Sequence, residues 1–351
     1  MKKNILIGNK KIGQNQKPFI IAEMSGNHNQ SFDRAIEIVE AAAKSGADAL
    51  KLQTYTADTM TLDIKEKEFF ISDDNSLWKD KSLYELYEEA YTPWEWHEPI
   101  IKKANDLGML CFSSPFDESA VDFLEELNVP AYKIASFENN HLPLINKVAQ
   151  TGKPMIISTG MASIGEIHEA VDTAKIAGCK DIVLLKCTST YPSNPTNSNI
   201  LTIPHMQDLF GCQVGLSDHT MGIGASIAAI AYGATVIEKH FTLRRADEGV
   251  DSEFSMEPNE MKLLVQEAEK AWQSLGSVHY GSTKAEKGST VYRRSIYISK
   301  DLKKGDTFNE NNVRIIRPGL GLDPKYFKVI LGRKAACDVK KGTALSWEII
   351  E

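Results

Sequence analysis

Residues 19–53 read FIIAEMSGNHNQSFDRAIEIVEAAAKSGADALKLQ, and this stretch sets the rhythm of most of the chain. Phe19-Ile20-Ile21-Ala22 is short and continuously apolar, as a strand covered on both faces must be. Glu23 ends it. Ser31 then stands where a helix N-cap belongs, a helical pattern runs to about Ser45, and Gly46 falls where a C-terminal cap glycine is expected. A second apolar run, Ala49-Leu50-Lys51-Leu52-Gln53, follows at once. Strand, helix and strand in this space make a βαβ unit.

The alternation continues to Gly276. Apolar runs predict strands at 109–112, 131–134, 154–158, 182–185, 213–216 and 235–238. Helical spacing predicts helices over 94–107, 117–127, 141–150 and 258–275, and Ser163-Ile164-Gly165-Glu166 is a capping box that opens another. Eight strand–helix units are the count of a (β/α)8 TIM barrel. A doubly wound open sheet is the alternative, but no GxGxxG turn follows the first strand. Residues 54–92 break the rhythm with an aromatic and acidic insertion that includes Leu83-Tyr84-Glu85-Leu86-Tyr87, and Trp94 and Trp96 follow. Such stripes are either core or the wall of a sugar pocket. The division expected is a catalytic barrel over 1–276, a polar linker over 277–292, and a small strand-and-turn domain over 293–351, near the minimum size for its own core.

With a net charge of −7, the chain has no general attraction for nucleic acid or an anionic membrane, so an anionic substrate needs a locally basic pocket. The apolar run at Ile5-Leu6-Ile7 is too short for a signal-peptide core, and no apolar stretch approaches the length of a membrane span. Cys111, Cys179, Cys187, Cys212 and Cys337 are odd in number and lack CxxC spacing, which argues against a disulfide framework or a zinc cluster. A reduced, cytoplasmic setting is expected.

Active sites of such barrels lie at the C-terminal ends of the strands. Polar residues end every apolar run here: Glu23 and Ser25; Lys51 and Gln53; Ser113 and Ser114; Lys133, Ser136 and Glu138; Ser158; Lys186 and the loop from Cys187 to Tyr191; Ser217, Asp218 and His219; Glu238 and His240. Lys51 and Gln53 are two apart on one strand face, as are Glu238 and His240. A buried ammonium needs an anion, so Lys51 and Lys133 read as holding phosphate or carboxylate, with a structural ion pair as the alternative. Ser114, Ser136, Ser158 and Ser217 could complete the cradle. His219 and His240 suit a divalent transition metal with open positions, or else are hydrogen-bonded loop histidines. Glu23 and Glu238 read as acid–base or metal-proximal carboxylates, or as partners of the lysines. Surface positions are expected for His97, His141, His168, His205 and His279.

In order along the chain, these residues resemble the sialic-acid synthase family. The motifs are Ala22-Glu23-Met24-Ser25-Gly26-Asn27-His28, Lys51-Leu52-Gln53-Thr54, Tyr132-Lys133-Ile134-Ala135-Ser136, Gly215-Leu216-Ser217-Asp218-His219 and Glu238-Lys239-His240-Phe241, while Lys304-Gly305, Arg317-Pro318-Gly319 and Gly332-Arg333 resemble its antifreeze-like (SAF) domain. The resemblance implies a metal-dependent condensation of phosphoenolpyruvate with an amino-sugar aldehyde. It implies a domain-swapped homodimer and a divalent ion at His219 and His240, manganese first, with magnesium or cobalt as alternatives. Lys51, Ser114, Lys133, Ser136, Ser158 and Ser217 would hold phosphoenolpyruvate. Gln53, Tyr191 and Asp251 would face the sugar with Glu23, and Arg317 would reach across the dimer. Ser189 stands where the sialate branch usually has Asn, and Ser114 where it often has Thr. Residues 23–29, 83–87 and 92–97 look most like the branch whose acceptor is a 2,4-diacetamido-2,4,6-trideoxy hexose of the altrose type. The competing readings are a mannose-type acceptor, a Schiff-base pyruvate aldolase using Lys51 or Lys133, and a non-enzymatic carbohydrate- or ice-binding protein.

Overall fold

The computed structural model describes residues 3–72, 77–79 and 81–351. The chain divides into two compact units, Met1–Gly276 and Ser277–Glu351. The first opens with a hairpin of β1 (Ile5–Ile7) and β2 (Lys10–Ile12). Eight parallel strands then close on themselves: β3 (Phe19–Glu23), β4 (Ala49–Thr54), β5 (Leu110–Pro115), β6 (Tyr132–Ile134), β7 (Met155–Ser158), β8 (Ile182–Cys187), β9 (Gln213–Ser217) and β10 (Val236–His240). β10 pairs with β3 and completes the TIM barrel.

The first helix, Phe32–Ser45, shows how local chemistry sets the elements. Ser31 Oγ accepts from Arg34 N at its start, and Gly46 turns the chain out with φ 88°. Ala35, Ile38, Val39 and Ala42 form its buried stripe. These side chains join Ile20, Leu50, Leu52, Val183 and Ile237 in a continuous core between sheet and helices.

Three features were not foreseen. The hairpin packs Ile5, Ile7 and Ile12 into that core, and Gly8 rests against Leu110, the first residue of β5, at the floor of the barrel. Helix Gly224–Ala231 (GASIAAIA) has Ser226, itself buried, as its one polar side chain and so shows little amphipathic period. Helix Thr202–Phe210 carries a proline in its first turn, where its missing N–H costs no helical bond. Trp94–Trp96 is a short 3-10 turn, and the helix expected from 94 begins at His97. His97 is a correction: it is fully buried, with Nε2 2.8 Å from Thr54 Oγ1, because its helix turns that face onto β4. His141, His168, His205 and His279 are exposed. Within the 54–92 insertion, residues 73–76 and 80 lie outside the described residues; the helix Leu83–Ala90 is present, capped by a Ser82–Glu85 box.

In the second unit, Lys287–Tyr292 forms a 3-10 turn ahead of an antiparallel pair, β11 (Ser295–Ile298) and β12 (Val313–Ile316). Ile296, Ile298, Phe308, Val313, Ile330 and Leu345 form its own core. Among the described residues, no helix is long and apolar enough to cross a membrane.

Strand register is what positions the site. Glu23 pairs with Lys51 on one side and with His240 on the other, so three adjacent strands present these groups at one level. Close strand contact at β9 protects that register. A Cβ on Gly215 would lie 2.2 Å from Val236 O and 2.8 Å from Leu185 Cδ2. Gly215→Ala is therefore expected to cost about 2–3 kcal/mol of unfolding free energy, measured by urea denaturation. An unchanged midpoint would show that the barrel yields there.

Candidate active site

A cavity of about 650 Å³ opens at the C-terminal ends of the strands. Its lining takes in Glu23, Lys51, Gln53, Lys133, Ser136, Ser158, Tyr191, Ser217, His219, Glu238, His240 and Asp251, so twelve of the fourteen expected site residues meet in one place. Ser114 sits one layer back, fully buried, with its Oγ accepting from Lys51 Nζ at 3.2 Å. Arg317 belongs to the second unit and is exposed beyond the end of β12.

The floor of the cavity is a cluster of buried charge. Lys51 Nζ lies 2.7 Å from Glu23 Oε2 and 3.9 Å from Glu238 Oε1, and Lys133 Nζ lies 3.6 Å from the same Glu238 oxygen. Lys51 and Lys133 thus line the cavity and also have protein counter-ions. The two differ in how well they are compensated. Burial works against the charge of Lys51, but Glu23 and Glu238 reverse the effect and raise its pKa. At Lys133 burial prevails, helped by repulsion from Lys51 and against the pull of Glu238, so its pKa is lowered. Burial opposes the negative charge of Glu238, yet the two lysines and two imidazoles hold it below the usual carboxylate range. Of the two lysines, Lys133 is the less fully compensated. An arriving phosphate or carboxylate would complete the compensation.

Hydroxyls surround this floor. Ser217 Oγ donates to Glu238 Oε1 at 3.2 Å, and Ser136 and Ser189 share a 2.8 Å hydrogen bond. Ser158 Oγ is buried with no partner. Gln53 Nε2 donates to Glu23 Oε1 at 2.9 Å and to Ser25 Oγ at 3.2 Å, and Ser25 in turn donates to Asp251. Asn27 fixes the loop that carries Asp251, accepting from Asp251 N at 3.3 Å and donating to Phe241 O at 3.0 Å.

His219 and His240 stand with ring centroids 5.4 Å apart, and Tyr191 packs 4.4 Å from the His219 ring. His219 Nδ1 lies 2.9 Å from Thr188 O. A carbonyl can only accept, so that nitrogen carries a proton, and in the neutral imidazole Nε2 keeps a lone pair. His240 Nδ1 is buried without a hydrogen bond, 3.4 Å from Asp251 Oδ2, and Glu238 Oε2 is likewise unpartnered. The two imidazoles are nitrogen donors of the kind a divalent transition ion takes. Among the described residues no group of three or more His, Cys, Asp or Glu is placed to hold a metal ion, so an ion on the two imidazoles would need its remaining ligands from water and substrate. Behind His219, Asp218 accepts from Thr220 N (2.9 Å), Ser226 Oγ (2.6 Å) and Lys239 Nζ (3.2 Å), all buried, and this network fixes the loop on which the imidazole sits.

Two further cavity residues stand at predicted strand ends but carry no role assigned from sequence. Cys187 ends β8 against His219; burial resists its ionisation, but the His219 hydrogen bond and charge outweigh burial and lower its pKa. Glu138 sits on the 3-10 turn Ser136–Glu138, with Oε2 buried and unpartnered. Burial pushes it up to about 7, although Lys133 and Lys51 pull the other way. Neither shows a sequence signal beyond its place just at or after a strand end.

Glu138 gives a signed prediction. Its folded-state pKa is raised from 4.5, so the folded chain binds more protons than the unfolded chain between about 4.5 and 7. The cost of holding it ionised is absent below 4.5 and complete above 7. Glu138→Gln is expected to raise unfolding free energy by on the order of 2 kcal/mol at pH 8 and to leave it unchanged at pH 4.5. Urea unfolding at the two pH values checks this, and an equal effect at both would contradict it.

The NeuB family matches residues 38–280 and the SAF domain matches residues 293–351. A pseudaminic acid synthase of Campylobacter jejuni is 44% identical over 97% of this chain and 98% of its own. One of Helicobacter pylori is 44% identical over 96% and 98%. The crystal structure of an N-acetylneuraminic acid synthetase from Leptospira borgpetersenii, in complex with citrate, superposes with a TM-score of 0.74 at 32% identity, covering 84% of this chain and 97% of that one. Eight parallel strands, a cavity of this composition and matches over nearly the whole length lead to one assignment: the chain belongs to the NeuB family.

Proposed function

We propose that this protein is a pseudaminic acid synthase. It condenses phosphoenolpyruvate with 2,4-diacetamido-2,4,6-trideoxy-β-L-altropyranose and water, and releases pseudaminic acid and phosphate by C–O cleavage. The observation that carries the reading is the union, in one cavity, of an under-compensated buried lysine with hydroxyls and of two imidazoles with a carboxylate network. The first set suits the phosphate and carboxylate of phosphoenolpyruvate. The second suits the aldehyde and hydroxyls of an open-chain sugar. The named relatives, 44% identical, support the choice of acceptor; a mannose-type acceptor is the alternative.

In this mechanism Lys51 and Lys133, with Ser136, Ser158 and Ser217, hold the phosphate and carboxylate, and Ser114 orients Lys51. C3 of phosphoenolpyruvate bonds to C1 of the acceptor as the C=C electrons move. The aldehyde oxygen takes up a proton to become a hydroxyl. C2, left electron-poor, bonds to the oxygen of water, and Glu23 accepts the proton that the water loses. The C2 hydroxyl then gives up its proton, its electrons form the C=O bond, the C2–O bond to phosphate breaks, phosphate departs with the bond electrons and that proton, and a 2-keto acid remains. A divalent ion held by His219 and His240, manganese in this reading, would supply Lewis acidity at the aldehyde oxygen. Gln53, Tyr191 and Asp251 orient the sugar. Arg317 of a second copy completes the site in a domain-swapped homodimer.

Four measurements test the reading. Phosphate release should occur with the altrose-type acceptor, stop with chelator and return with manganese. Turnover only with N-acetylmannosamine or the mannose-type isomer would move the chain to another branch of the family. With ¹⁸O in the bridging position of phosphoenolpyruvate, the label should leave in phosphate; label in the sugar acid would refute C–O cleavage. Glu23→Gln should lower kcat by about 10²–10⁴-fold, and unchanged turnover would remove Glu23 from the chemistry. The lowered pKa of Lys133 is also what a Schiff-base lysine needs; on the synthase reading borohydride with pyruvate leaves the enzyme active, and inactivation would favour the aldolase.

A further inference from the structure

The cavity has two unlike halves. Strand ends supply the polar half, described above. The other half is apolar: Tyr55, Met60, Trp78, Leu86 and Tyr87 come from the single connection between β4 and β5, and Phe116 follows β5. Tyr55 is buried, set edge-on to Tyr87 (5.8 Å between centroids) and to Phe116 (5.2 Å), and its carbonyl accepts from Trp94 Nε1 at 3.2 Å. Trp78 donates its indole N–H to Val250 O at 2.9 Å, so the ring's polar atom is engaged by the protein while the ring lies 6.0 Å from Tyr191. Leu86 is buried on the capped helix Leu83–Ala90. A wall so tied down is a shaped surface, and the tyrosine hydroxyls are the polar side-chain atoms it carries.

We infer that this wall is an apolar subsite that reads the C6 end of the acceptor, favouring a methyl group over a hydroxymethyl. The inference rests on the synthase reading. In that reaction C1 must sit among the imidazoles and the lysine-bound phosphoenolpyruvate. An extended open-chain sugar then directs C4 to C6 away from the strand ends, toward the wall. A C6 hydroxyl there would give up water and find few partners, whereas a methyl loses nothing and gains contact. Discrimination of this kind, one small group in an apolar pocket, is about tenfold to a hundredfold.

The test uses the full-length, manganese-loaded enzyme and two matched acceptors, the 2,4-diacetamido-2,4,6-trideoxy sugar and its 6-hydroxy analogue. The expected result is a kcat/KM at least tenfold higher for the 6-deoxy sugar. Met60→Gln and Leu86→Gln, each checked for folding by circular dichroism, should draw that ratio toward unity, because an amide offers the hydroxyl a partner. Merely structural damage would lower both rates together and leave the ratio alone. A wild-type ratio within twofold overturns the subsite while leaving the synthase reading intact, and so does a ratio unmoved in the folded variants. Should neither variant fold, the wild-type ratio decides. No phosphate release with either sugar would sink the synthase reading and this inference with it.

Discussion

The site depends on keeping two lysines charged inside a protein. Lys51 and Lys133 are almost wholly buried at the mouth of a barrel whose interior is otherwise packed with aliphatic side chains. Isolated ammonium groups could not remain ionised there. Glu23 and Glu238 make it possible, and both stand where strand register puts them, on β3 and β10, the pair that closes the barrel. Closure of the sheet and assembly of the charge cluster are therefore one event. Lys133 is left with the weaker compensation, which gives an arriving anion the electrostatic opening that a fully neutralised site would lack.

A second tier of buried polar contacts fixes the imidazoles. Lys239 and Asp218 neutralise each other behind the β9 loop, and Lys239 Nζ also donates to Thr220 O and Gly222 O. Asn27 does the same for the loop of Asp251. Such networks contribute little net stability in place of apolar packing, but breaking one partner is expensive, so they hold geometry. The result is a site built on strand ends and braced from behind, with most of its apolar wall drawn from one long connection.

Much of this was legible in the sequence because strands alternate faces. Lys51 with Gln53, and Glu238 with His240, could be assigned to a common face from a spacing of two, and the closing register brings them together. Other parts carried no such signal. Helix Gly224–Ala231 has a single polar side chain, so its period is faint, and the β1–β2 hairpin has strands of three residues each. His97 looked like a surface residue because nothing local says which side of a helix will meet β4. Glu138 is raised by its surroundings rather than by its neighbours in sequence. The aromatic insertion could be recognised as unusual, but its side chains were assigned to the cavity by tertiary packing alone.

Phosphoenolpyruvate binding to the parent protein and to Lys133→Met, measured by titration calorimetry with manganese present, bears most directly on the central claim. If the under-compensated lysine is completed by the substrate anion, its removal should weaken binding by a hundredfold or more, as loss of one member of a buried charge pair does. A dissociation constant changed by less than about twofold, in a variant that remains folded, would mean that the anion is held elsewhere and that the buried charge cluster is structural.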